Sequence, residues 1–218
     1  FVNGVDIEST ELPSSFTANN VTITGSHKAG LQAHNAKIAI KDTLSIDQIG
    51  SISGQGFDLT GGTFNTNNMD VKNSIGYAID LDDVENFTAN NVTISDSHSI
   101  GLSATNSHLI INGLLSLDQT GSTTGHGIDI DGGSYKGGDV TIIDDDVSSN
   151  DAGNGMKLEN TDFETNNLTV IGSARFKSGI AVVNSIFKVN NTATVENSDA
   201  ALSINNGAII STGKSEPD

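Results

Sequence analysis

Carboxylates are the groups in this sequence with the greatest capacity for chemistry. Asp58, Asp80, Asp82, Asp129 and Asp131 recur in short alternating segments, FDL, IDLDD and IDIDG. Two carboxylates held roughly 5 Å apart are what retaining glycoside hydrolysis requires, one as proton donor and one as nucleophile. A set such as Asp80, Asp82 and Asp83 also offers the hard oxygen ligands that Ca²⁺ prefers. The plainer alternative is a solvated acidic face. A second acidic group, Asp144, Asp145 and Asp146 followed by Asp151, falls in a Gly/Ser/Asn-rich stretch and reads as a protruding loop. It lacks the D-x-D-x-D-G order and distal Glu of a calcium loop.

Other chemistry is poorly supplied. His27 and His98 lie in the related segments GSHKAG and DSHSIG, without the close histidine spacing of a metal site. The only arginine is Arg175, in ARFKSG, which reads as a loop. A lyase that takes a proton beside a bound calcium needs a better-placed base. Sugar-cleaving clefts also present aromatic platforms, and here eight Phe, two Tyr and no Trp are available, mostly in one inward column. No catalytic residue, metal ligand or cofactor is therefore assigned, calcium being the one alternative weighed.

What positions these groups is an internal repeat. FTANNVTI at 16–23 recurs unchanged at 87–94, an offset of 71 residues. At that offset LSIDQIGSISGQGFDLTGGTF (44–64) matches LSLDQTGSTTGHGIDIDGGSY (115–135). Within the blocks a bulky residue opens each related segment: Phe16, Ile38, Phe64, Phe87, Leu109, Tyr135, Phe163, Phe187 and Ile209. The spacings are 22, 26, 23, 22, 26, 28, 24 and 22 residues, as if a three-coil unit had been duplicated.

Apolar residues alternate inside every segment, the strand period of two. A first strand such as Phe16-x-Ala18 leads through an Asn-Asn pair to a second, with inward pairs such as Val21/Ile23 and Val92/Ile94. A variable Gly/Ser/Asp-rich loop follows. The third strand carries Leu31/Ala33, Phe57/Leu59, Ile79/Leu81 and Ile128/Ile130, and closes on Asn or Gly. One such coil cannot bury a core, but stacked coils cover one another. The expected fold is an all-β, right-handed parallel β-helix of about eight to nine coils, three short strands per coil, with left-handed backbone at Asn and Gly corners. It reads as one domain over 1–218: a partial or capping coil at 1–15, stacked coils at 16–210 and a tail at 211–218. Pro13 and Pro217 fall outside the stack, and Ile209 and Ile210 look ready to receive a further coil. On this reading the chain is a piece of a larger protein.

The outward positions of the third strand then form two columns. One runs Gln32, Asp58, Asp80, Ser103, Asp129, Lys157, Ala181, Ser203; the other runs His34, Thr60, Asp82, Thr105, Asp131, Glu159, Val183, Asn205. Net charge of −17 argues against nucleic acid or an anionic membrane as partner. No apolar run is long enough to span a bilayer. With no cysteine, neither disulfides nor thiolate metal sites can form.

The N-N-V-T-I strands, Gly/Asn corners, absent cysteine and single arginine resemble the passenger region of autotransporters and filamentous-haemagglutinin-type adhesins, over Phe16 to Ile210. The elements FTANN, FNTNN, FETNN and FKVNN also resemble chlamydial polymorphic membrane proteins. The resemblance implies a secreted or bacterial cell-surface passenger, with an outer-membrane translocator elsewhere in the full protein. Its partner would be a host surface receptor, a glycan or another copy of itself, bound by Asp58, Asp80, Asp82, Asp129 and Asp131 or by the longer loops. The alternatives are an effector that engages a host receptor through loops 47–56, 118–127 and 143–155, and a polysaccharide lyase or hydrolase, since the fold class includes pectate lyases and phage tailspikes.

Overall fold

A computed structural model of the chain describes residues 3–9, 14–49, 54–118, 126–144 and 153–211, without the side chains of 173–175, 210 and 211. Pro13, Pro217, Asp145, Asp146, Asp151, the tail beyond 211 and most of the longer loops lie outside the described residues.

Among the described residues there is no helix. The strands are β1 (Asn3–Ile7), β2 (Ser14–Thr24), β3 (Ala29–Asp47), β4 (Gln55–Lys72), β5 (Ile79–Asp82), β6 (Asn86–Ala89) and β7 (Asn91–Ser95). They continue as β8 (Leu102–Asp118), β9 (Ile128–Ile143), β10 (Asn154–Glu159), β11 (Asp162–Val183), β12 (Ile186–Asn205) and β13 (Ala208–Ser211). All join one parallel sheet that winds into a β-solenoid of about eight turns. The longer strands pass around corners without losing their ladder, so each spans two or three sides of a coil. ARFKSG is part of β11 and not a loop: Phe176 is buried and paired with Ser198.

Parallel register places every bulky residue of the repeat on its counterpart. Phe16 pairs with Ile38, Ile38 with Phe64, Phe64 with Phe87, Phe87 with Leu109 and Leu109 with Tyr135. The column continues through Phe163 and Phe187 to Ile209. Inside it, ring centroids lie 5.0 Å apart for Phe64 and Phe87 and 4.6 Å for Tyr135 and Phe163, and Phe57 of the third-strand column packs against Phe64 at 4.7 Å. Such stacking adds about 0.5–1.5 kcal/mol per pair to the gain from burial. The second and third columns are filled the same way, by Leu44, Met69, Val92 and Leu115, and by Leu31, Phe57, Ile79 and Leu102, all at most 1% exposed.

The corners are of two kinds. After the third strand the backbone turns left-handed at Asn35, Gly61, Asp83, Asn106, Gly132, Asn160, Asn184 and Asn206. Asn and Asp tolerate this region because a short polar side chain satisfies itself locally. After Asn106, Asn160 and Asn184 comes a buried hydroxyl, Ser107, Thr161 and Ser185, which donates to the carbonyl two residues earlier. Ser107 and Ser185 also accept the amides of Val84 and Thr161 on neighbouring coils. Where the corner residue is Gly61 or Gly132, the next residue is also a left-handed glycine. A Cβ on Gly62 would collide with the carbonyl oxygen of Ala36, so no other residue fits.

The Asn-Asn corner between first and second strands departs from the expectation. No residue there has left-handed backbone. Where neighbouring coils differ in length the ladder shifts register at this corner, as between Ala18/Asn20 and Ile40/Thr43, whereas Asn67-Asn68 and Asn90-Asn91 stack at a constant offset of 23 residues. The asparagines serve as ladders: Asn90 donates to Asn67 at 3.1 Å and Asn91 to Asn68 at 3.0 Å.

Candidate functional site

The two outward columns of the third strand run along the solenoid in the expected order. Gln32 pairs with Asp58, Asp58 with Asp80, Asp80 with Ser103, Ser103 with Asp129 and Asp129 with Lys157. Beside them Thr60, Asp82, Thr105, Asp131 and Glu159 stack in the same register. Strand alternation leaves these side chains outside, while Phe57, Leu59, Ile79 and Leu81 between them face the core.

The acids are held in two different ways. In the first, amides bridge the coils: Asn3 donates to Gln32 at 2.8 Å, Gln32 to Asp58 at 2.8 Å, and Gln55 to Asp80 at 2.8 Å. Burial raises the carboxyl of Asp58 above its ordinary value, only partly offset by the Gln32 hydrogen bond. Asp80 is raised as well, first by burial and then by the negative charges of Asp58 and Asp82, against a hydrogen bond with Ser103.

In the second, cations neutralise the acid. The Lys157 ammonium lies 3.4 Å from Asp129 and 3.4 Å from Glu159, and His126 Nε2 lies 3.7 Å from Asp129. Burial works against the charged Lys157, but Asp129 and Glu159 outweigh it and leave its pKa raised. Burial lowers the pKa of His126, against the pull of Asp129. The amide of Asn154 donates to Nδ1 of that ring at 2.9 Å, which places the proton of the neutral imidazole on Nε2, toward Asp129. Asp131 accepts from Asn160 at 3.0 Å.

Asp58 and Asp129 are duplicates, 71 residues apart, as are Gln55 and His126. Gln55 and His126 are the members of this surface that the column reading missed. Their matching place in the two blocks, three residues before each aspartate, was the available signal.

Of the proposed calcium set, Asp80 and Asp82 share the outward face, whereas Asp83 forms a left-handed corner. No three His, Cys, Asp or Glu side chains are grouped as metal ligands among the described residues. Asp144 donates its amide to Ile171, and its neighbours Asp145 and Asp146 lie outside the description. An apolar cavity of about 330 Å³ between Ile180, Phe187, Val195, Leu202 and Ile209 contains none of the candidate acids.

Comparison with known proteins finds no matching family model, no matching curated protein and no matching solved structure.

Proposed function

We propose that this solenoid is the binding rod of a secreted or cell-surface bacterial adhesin, of the autotransporter or filamentous-haemagglutinin passenger type, acting without catalysis. Its partner is a host surface receptor or glycan, or a second copy of itself. The observation that supports this is the continuity of the outward columns from Gln32 to Ser203, in register coil upon coil. A rigid scaffold spaces polar groups about 4.8 Å apart along its axis, so contacts too weak singly add up along its length. A hydrolytic use of Asp58 and Asp80 is less well served. Acid–base catalysis needs two carboxyls pushed in opposite directions, and these two are raised together.

Sedimentation velocity over a concentration series, with and without Ca²⁺, tests the self-binding arm. Reversible association that weakens when Asp58, Asp80 and Asp129 are replaced by Lys supports it. A strictly monomeric rod at high concentration removes it, and binding to host cells and glycans, with the same variant as control, then decides the other arm. Loss of both rejects the adhesive reading.

A further inference from the structure

The duplicated aspartates differ in one respect that the repeat does not predict. Asp129 is covered by Lys157 and faced by His126, whereas its counterpart Asp58 is stacked on another acid, Asp80. Among the described residues neither Asp58 nor Asp80 has a cation within ion-pair distance. Their polar partners are Gln32 on Asp58, and Gln55 and Ser103 on Asp80. The charged groups around them come from the flanking elements: Lys28 and His34 attract Asp58 from the preceding coil, and Asp82 repels both from their own face. The coil that follows contributes Ser103 and Thr105, which carry no charge.

β5 has four residues, and its coil is divided into the short strands β5, β6 and β7, while backbone hydrogen bonds from Glu85 to Gly62, from Asn90 to Asn67 and from Asp83 to Thr105 carry the ladder across the breaks.

We propose that the Asp58–Asp80 step is a proton-operated clasp between the β4 and β5 coils. With a proton on the pair the like-charge repulsion across the step is gone and the coils close tightly. Without it, two partly buried negative charges face one another in register and the step loosens. The raised carboxyls agree in sign. A folded-state pKa above the unfolded value gives stability that is fully present below the unfolded value, here 3.8, and is lost as pH rises through the folded one. The two groups interact and titrate as a pair. At the duplicate step Asp129 has Lys157 at 3.4 Å in place of a second acid. The inference is independent of the adhesive reading, since it concerns the closure of the rod and not its partner.

Carboxyl carbon resonances followed by NMR through a pH titration of the intact chain test this directly. The expected result is a titration of the Asp58–Asp80 pair above 3.8, with Asp80 moving down when the charge of its neighbour is removed in Asp58→Asn. Urea unfolding supplies a second readout. Asp80→Asn should raise the unfolding midpoint at pH 7, and its advantage should vanish as the pH falls through the titration of the pair. Asp58→Asn should behave alike, which guards against one variant failing to fold. Titration of both acids at or below 3.8 in the wild-type chain overturns the proposal. So does an Asn variant whose effect on the midpoint does not change with pH.

Discussion

The hydroxyl of Tyr135 occupies the space that a side chain at residue 137 would need: a Cβ built on Gly137 would stand 2.5 Å from that oxygen. Leu109 and Phe163 flank Tyr135 in its column, and Ile111 precedes Gly137 in the neighbouring one. The larger ring and the missing side chain are thus two halves of one packing solution. The hydroxyl is buried without a hydrogen-bond partner, which costs on the order of 1–3 kcal/mol.

Tyr135→Phe should therefore keep or raise stability, by up to about 1 kcal/mol, measured by urea unfolding. Gly137→Ala should lose about 1–3 kcal/mol from overpacking. Combining the two should recover part of that loss, although the Ala Cβ still meets the Ile111 carbonyl at 2.8 Å. A double-mutant cycle with no coupling between 135 and 137 would contradict the packing account.

Phe64 lies between Phe57 and Phe87 and is 1% exposed, whereas Phe16 in the same column is only partly buried. Phe64→Ala should cost about 3–5 kcal/mol. Phe16→Ala should cost clearly less, because it removes less buried surface and leaves no enclosed cavity. Equal shifts in the denaturant midpoint would show that the column does not carry the core.

Asn106 adopts a left-handed backbone with φ of 48°. Replacement by Ala should cost about 1–2 kcal/mol, the steric penalty of that region for a residue with a Cβ and no local hydrogen bond. Asn106→Gly should cost less than Asn106→Ala. The order of the two thermal midpoints decides the point.

Glu164 behaves oppositely to the Asp58–Asp80 step. Hydrogen bonds from Lys188, at 2.7 Å, and from Asn190 hold its carboxyl below the ordinary value of 4.5. Its contribution is present above that unfolded value and is lost as pH falls through the lower folded one. Because both side chains still keep about a third of their surface in solvent, at 31% and 33%, the effect is small. Lys188→Met should flatten the acid side of the stability profile slightly and leave the neutral side within about 0.5 kcal/mol. A large loss at pH 7 would mean that the Lys188–Glu164 ion pair contributes far more than a pair of this exposure should.

Much of this fold could be read before any coordinates. The alternation of Val92 and Ile94, or of Phe57 and Leu59, is a local property of the chain, and burial forces that pattern inward whichever coil lies above it. Because each coil has the same need, recurrence of Phe16, Ile38 and Phe64 at 22 and 26 residues specifies which residues stack, loops absorbing the difference. The outward columns followed from the same count, so the order of Asp58, Asp80 and Asp129 along the rod was legible too.

What the tertiary structure alone decided is which polar groups meet and which way each corner turns. Gln55 is nearest Asp58 in sequence but donates to Asp80, because an outward side chain reaches across to the next coil. Lys157 neutralises Asp129 for the same reason, and nothing comparable reaches Asp58. The Asn-Asn pairs look like left-handed corners but turn without left-handed backbone, their side chains forming Asn-to-Asn ladders along that edge. Period two is written into each strand. Lateral pairing depends on the offset between coils of unequal length, and that offset exists only once they are stacked.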